Sequence, residues 1–239
     1  MDGMQRNLLL GMLPAQTRSS LLSILEPVSL PIATVLFEPD EAPRHVHFLT
    51  SGMASIVTQM EDGDSAEVGS VGREGVPESM HLLGAALVPS RCFMQIGGTA
   101  LRADFKELEQ IFLRDGNLRR QVLRFVQCQN LILGQLVACN RLHGVEERLA
   151  RWLLMAEDRI GNPTLRLTQE FLAEMIGVRR STITAAAGVL QRKGMIVCRR
   201  GEIRIADRKG LEETACECYA VAKGLLRGFV EYPGSENRR

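Results

Sequence analysis

The sequence contains no CxxC pair, and none of its cysteines and histidines fall at zinc-finger spacing. It has no GxSxG, no P-loop and no pair of carboxylates placed for acid–base work, which excludes the commoner hydrolase and phosphoryl-transfer chemistries. No uninterrupted apolar run approaches the roughly 20 residues that cross a bilayer. The short Leu8-Leu9-Leu10 patch follows Asp2 and is not trailed by a small-residue cleavage site. A cytoplasmic protein without membrane attachment is therefore expected. Its six cysteines, Cys92, Cys128, Cys139, Cys198, Cys216 and Cys218, are expected as free thiols in a reducing compartment. Cys216-Glu-Cys218 offers two thiols for a metal or for oxidation, but a lone CxC is not enough to expect a metal.

What is present is the composition of a globular protein: 239 residues, 45% hydrophobic and 24% charged. The net charge of +1 hides an asymmetry. Residues 1–140 carry 11 Lys/Arg against 15 Asp/Glu, while residues 141–210 carry 14 against 8. One basic segment on an otherwise acidic chain is the pattern of a phosphate-binding footprint.

Helical periodicity runs over residues 7–26 and is broken at Pro14. Residues 33–103 then alternate short strand-like runs with turn signals. "HVHFLTSG", "MASIVTQM", "SAEVGSVG", "SRCFMQIGG" and "TALRADF" read as strands, and Asp62-Gly63 as a hairpin turn. Many short strands at this spacing predict an antiparallel sandwich or jelly-roll barrel. Residues 104–142 are helical again. Leu118, Val122, Phe125, Gln129, Ile132, Leu136 and Cys139 step alternately by four and three, a heptad seam that predicts a dimer interface with the same helix of a second chain. His143-Gly144 breaks the pattern as a hinge, and Gly161-Asn162-Pro163 ends the next helix.

The stretch "TQEFLAEMIGVRRSTITAAAGVLQRKGMI" holds two short amphipathic segments around Gly177. Thr168 suits an N-cap, and Gly177 permits a tight left-handed turn. Ile183, Ala187 and Leu190 line the inner face of the second helix. Its outer face carries Arg180, Ser181, Thr184, Ala185 and Gly188, small or hydrogen-bonding groups that allow entry into a major groove. Arg179 and Thr182 are placed for flanking phosphates, with Thr168 and Gln169 at the start of the first helix. "MIVCRR" and "EIRIAD" then form a basic hairpin that brings Arg199, Arg200 and Arg204 towards a phosphate backbone. The expected partner is double-stranded DNA.

From these residues the chain is identified as a member of the CRP/FNR (catabolite activator-like) transcription regulators, most specifically at "GVEERLARWLL", the two-helix stretch and the hairpin. The resemblance implies an α+β chain of two domains: an N-terminal antiparallel β jelly roll, cyclic-nucleotide-binding-like, a long dimerisation helix, and a C-terminal winged helix-turn-helix. The corresponding boundaries are 1–115, 116–142 and 143–239. It implies a homodimer that works with RNA polymerase, guanine contact by Arg180 and phosphate contact by Thr182. Ser181 stands where the best-known members have Glu, and Ala185 where some have Arg, so their preferred half-site does not transfer.

Nucleotide-binding members carry a Gly-Glu-apolar-small cassette followed by Arg-Ser/Thr-Ala. The matching stretch here is "VPESMHLLGAALVPSRCF", with Glu78 and Arg91 as the candidate effector-binding pair. Pro77, Met80 and Cys92-Phe93 depart from the cassette, so a cyclic nucleotide is not expected and the effector is unknown. No N-terminal cysteine cluster exists for an iron–sulfur centre. Nothing singles out a haem ligand among His45, His47, His81 and His143, so no cofactor or metal is expected. A jelly roll with His45-x-His47 also raises the cupin metal enzymes, but Phe48 to Gly52 contain no carboxylate to complete their ligand set. The alternative to a sensing regulator is a constitutive DNA-binding dimer whose jelly roll is only a scaffold. The tail "EYPGSENRR" is expected to be disordered.

Overall fold

The computed structural model describes residues 2–84 and 87–231, so the tail beyond Glu231 and two residues of the cassette stretch lie outside the described residues. Three short helices open the chain: α1 (Asp2–Arg6), α2 (Leu8–Gly11) and α3 (Ala15–Leu22), with Pro14 breaking the last two as expected. Asn7 fastens them to the rest. Its Oδ1 accepts from the Leu10 N–H, and its Nδ2 donates to the Leu49 and Gly75 carbonyls.

Strands β1 (Glu26–Leu30), β2 (Val35–Phe37), β3 (His45–Gln59), β4 (Ser65–Val71) and β5 (Arg91–Asp104) build one antiparallel sheet, with the short helix α4 (Ser79–Leu82) before β5. The strand order is β1-β5-β3-β4, and β2 also pairs with β5. Four of the expected strands prove to be two. β3 and β5 are long and paired along nearly their whole length, with register shifts between Leu49 and Ala54. Gly52, at the end of an expected strand, is a bend inside one. Its φ is +80°, and a Cβ there would lie 2.6 Å from the Ile96 carbonyl oxygen. Only glycine lets the two strands cross so closely. β1 escapes the sequence pattern because Pro27 interrupts it. It is an edge strand, where a missing N–H is tolerated.

The expected helical stretch 104–142 is two helices, α5 (Phe105–Arg114) and α6 (Gly116–Leu142). Asp115 divides them. Its carboxylate accepts from the N–H groups of Asn117 and Leu118 and from the Thr17 hydroxyl, capping α6. By length and composition α6 would suffice to cross a membrane, but its apolar residues include six that are buried in the chain's own core.

The C-terminal half comprises α7 (Val145–Ile160), β6 (Thr164–Leu165), α8 (Gln169–Ile176), α9 (Arg180–Arg192), β7 (Ile196–Arg199), β8 (Glu202–Ile205), α10 (Arg208–Thr214) and α11 (Cys218–Glu231). Strands β6-β8-β7 form a small sheet, and β6 is an addition to the expected hairpin. α10 and α11 are not among the expected elements, although Asp207 caps α10 through the Gly210 N–H and Cys218, Tyr219, Ala222 and Phe229 lie on the buried side of α11. α11 runs antiparallel along α6: Gln135 Nε2 donates to Cys218 Sγ at one end, and Arg124 donates to the Phe229 carbonyl at the other. The Phe125 and Phe229 rings pack 5.9 Å apart.

The two halves are docked firmly. Trp152 Nε1 donates to Glu67 Oε1 at 3.0 Å, Ser65 donates to Glu174, and Arg159 pairs with Glu74 at 2.9 Å. One continuous hydrophobic core extends through both halves.

Candidate DNA-binding surface and effector cleft

α8 and α9 form a helix-turn-helix for local reasons that the sequence makes plain. Thr168 caps α8, its hydroxyl accepting from the Phe171 N–H at 3.2 Å. Gly177 adopts φ +67° and closes the helix with N–H bonds back to Ala173 and Glu174. Leu172, Ala173, Ile176, Ile183, Ala187 and Leu190 are buried as expected, joined by Met175 and Ala186. Arg179, Arg180, Ser181, Thr182, Thr184 and Ala185 are all exposed. Thr184 Oγ1 donates to Gln169 Oε1 at 2.8 Å, so the two helices share a polar link on this face. Arg199, Arg200 and Arg204 are exposed on the β7–β8 hairpin, whose turn is Arg200-Gly201. The structure therefore presents the expected arginines and hydroxyls to solvent around α9 and the wing.

A cleft of about 640 Å³ lies between the jelly roll and α6. Its walls include Phe37, Ile56, Met80, Phe125 and Leu133, and its polar groups are uncharged, such as Gln129 and Asn130. No charged side chain lines it among the described residues.

The candidate pair Glu78 and Arg91 is not part of that cleft, and the two are not brought together. Glu78 is fully buried, accepting from the backbone N–H of His47 and bonded to His47 Nδ1 at 2.7 Å. Arg91 lies on the surface, paired with Glu38 at 3.2 Å and stacked over Phe93. A phosphate in the cleft would meet neither. Cys92 is buried, and burial pushes its thiol well up, so it offers no charge either. The carboxylate missing after His45-x-His47 thus arrives from Glu78, but as a structural partner of His47.

The heptad seam also needs correction as a dimer interface. Leu118, Val122, Phe125, Ile132 and Cys139 are buried inside the chain itself, and Gln129 donates to the Ser70 carbonyl. Leu136 is half-buried. The seam is real, but it faces the jelly roll, α5 and α11 rather than a second chain. A second strip with the same four-and-three spacing is open: Leu123, Gln127, Asn130, Gly134, Val137 and Arg141, flanked by Leu131 and Leu142. Val137 is 71% exposed and Leu142 76%, and with Leu123 and Leu131 they give this side of α6 four exposed large apolar side chains. The more apolar strip of α6 is the one that faces inward, and the open strip mixes Leu123 and Val137 with Gln127, Asn130 and Arg141.

The family description "Cyclic nucleotide-binding domain" matches residues 27–115, and "Crp-like helix-turn-helix domain" matches residues 147–214. No curated protein matches the chain by sequence. Solved structures of the same fold include a transcriptional regulator of the CRP/FNR family from Eubacterium rectale (TM-score 0.68, 15% identity, 86% of this chain and 96% of that one). FixK2 from Bradyrhizobium japonicum gives 0.67 at 15% identity, with 81% and 98% covered. A CRP-family regulator from Thermus thermophilus gives 0.66 at 18%, with 79% and 96% covered. At these identities the likeness to solved structures speaks for the fold, and the two matched domains, in this order, speak for the family. The chain belongs to the CRP/FNR family of transcriptional regulators.

Proposed function

We propose that this regulator is a homodimer that reads a pseudo-palindromic DNA site and responds to an uncharged, largely apolar effector. Arg180 contacts guanine, and Ser181 and Thr184 lie against the base edges. Arg179, Thr182, Thr168, Gln169, Arg199 and Arg200 hold the phosphate backbone. The chains pair along Leu123, Leu131 and Val137 of α6. Residues 1–115, 116–142 and 143–239 serve as sensor, dimer helix and DNA-binding unit. RNA polymerase is the expected protein partner, and the cytoplasm is the expected place of work.

The observation that carries the effector class is the apolar cleft, lined among the described residues by no charged side chain. A cyclic phosphate taken out of water needs a cation or several N–H donors. An apolar molecule gains by burial against Phe37, Ile56 and Leu133. Because α6 forms one wall of the cleft, a bound molecule can bias the position of that helix.

The buried tie between Arg159 and Glu74 favours a second reading, a constitutive DNA binder whose jelly roll is scaffold. Selection of DNA sites by the purified full-length protein, with no addition, with cyclic nucleotides and with a panel of apolar metabolites, separates the two. A palindrome selected equally under every condition establishes the scaffold reading. A palindrome sharpened by apolar compounds alone establishes the proposed sensor. Selection that requires a cyclic nucleotide overturns the apolar assignment, and no selected motif under any condition overturns sequence-specific binding.

A further inference from the structure

Cys139, His143, Cys216 and Cys218 converge at the junction of α6, the hinge and the start of α11. Their four ligand atoms lie within 4.8 Å of one another, and the three cysteines are buried. Cys139 Sγ is 3.5 Å from Cys216 Sγ, and Cys218 Sγ is 3.6 Å from His143 Nδ1. Ligands about 2.0–2.3 Å from a tetrahedral ion are separated by edges of about 3.5–3.8 Å. An iron–sulfur cluster interposes its own iron and sulfide atoms and needs the thiolates spread farther apart.

We propose that these four residues form a tetrahedral Cys3His site for a single divalent ion of the zinc type. Three further features fit. Glu217 lies 3.2 Å from His143 Nε2, so the carboxylate holds the proton on that nitrogen and leaves the Nδ1 lone pair for the ion. Gln135 donates to Cys218 Sγ at 3.1 Å, the outer-shell bond that a thiolate ligand takes. Arg151 is close enough to Cys139, and Arg148 to Cys139 and Cys216, for their charges to act on the thiols. Each of these arginines has a buried Nε with no hydrogen-bond partner. Ligation releases the three thiol protons to solvent, binds the imidazole neutral, and gives a centre of net charge −1. The two arginines offset that charge.

The position gives the ion a role. It ties the last turn of α6 and the hinge residue His143 to the α10–α11 junction. Arg148, beside the site, also donates to the carbonyl of Ile176 at the end of α8. An ion held here fixes the angle between α6 and the helix-turn-helix. The site itself does not depend on the DNA or effector assignments.

The test uses full-length, reduced, metal-stripped protein titrated with Co²⁺. The expected result is one ion per chain, with the visible absorption of tetrahedral thiolate cobalt, displaced by one equivalent of Zn²⁺. Zn²⁺ should slow alkylation of Cys139, Cys216 and Cys218 in the intact chain, read by mass spectrometry, and leave Cys198 unchanged. Cys139→Ser and Cys218→Ser should abolish the cobalt signal, Cys198→Ser should keep it, and Glu217→Gln should weaken binding about 10- to 100-fold. If the serine variants do not fold, the wild-type alkylation pattern decides. Absence of the cobalt bands in reduced wild-type protein, or alkylation unaltered by Zn²⁺, overturns the site. A Cys139–Cys216 disulfide in a chain that takes up no ion would replace it with a redox pair.

Discussion

Glu74 and Arg159 form an ion pair of 2.9 Å with both side chains almost wholly shielded from water, joining the turn after β4 to α7. Arg159 also donates to the carbonyls of Met155 and Ser70. Glu74→Ala removes the carboxylate and leaves a buried guanidinium without its counter-charge. The expected loss is about 3–5 kcal/mol in urea unfolding, whereas Glu74→Leu combined with Arg159→Met should return close to the wild-type midpoint. Equal losses in the single and double variants would show that the charge pair is not what matters.

Glu67 supplies a pH dependence of known sign. Burial pushes its carboxyl up, against hydrogen bonds from Ser55 and Trp152 that pull it down. With a folded-state value above the unfolded 4.5, the fold favours the protonated form. That contribution is complete below the unfolded value and is lost as pH rises through the folded one. Glu67→Gln keeps a neutral acceptor for Trp152 and should be more stable than wild type at neutral pH, read as a higher urea midpoint. The difference should close on acidification towards pH 4.5. A gap that stays constant with pH would contradict this reading.

The two strips of α6 predict opposite failures. Val122→Glu places a charge in the core and should unfold the chain or leave it aggregated. Val137→Glu, on the open strip, should preserve the circular dichroism spectrum and melting behaviour while abolishing dimers in analytical ultracentrifugation. A folded, dimeric Val137→Glu protein would move the interface elsewhere.

On the DNA side, Arg180→Ala should cost about 1–3 kcal/mol and relax preference at one base per half-site. Arg200→Ala should weaken binding about equally on every sequence and lower the salt dependence by roughly one phosphate contact. Site selection followed by binding at several salt concentrations distinguishes the two. Unchanged preference in Arg180→Ala would mean that α9 docks differently.

The helix-turn-helix is legible because its signals are local: a capping threonine, a glycine with positive φ, and burial at three- and four-residue spacing within one short stretch. The jelly roll is legible as a class but not strand by strand. β1 pairs with β5 across some 70 residues of sequence, and the bend at Gly52 resembles a stop until its partner strand is seen. The effector pair fails because Glu78 answers to His47, 31 residues earlier, rather than to Arg91. Cys139-x3-His143 and Cys216-x-Cys218 each carry half of the metal-type signal. Neither half resembles a ligand set alone, and only the antiparallel return of α11 along α6 brings them together.

That return also sets an order of events during synthesis. Arg124 leaves the ribosome 105 residues before Phe229, whose carbonyl it will hold. Until α11 emerges, the side of α6 around Phe125 and Cys139 lacks its cover, while the outer strip is already exposed. A nascent or truncated chain therefore presents sticky surface on both sides of the same helix, and only a completed one presents a single face. Loss of α11 from a finished chain would likewise uncover the side of α6 around Phe125 that packs against Phe229.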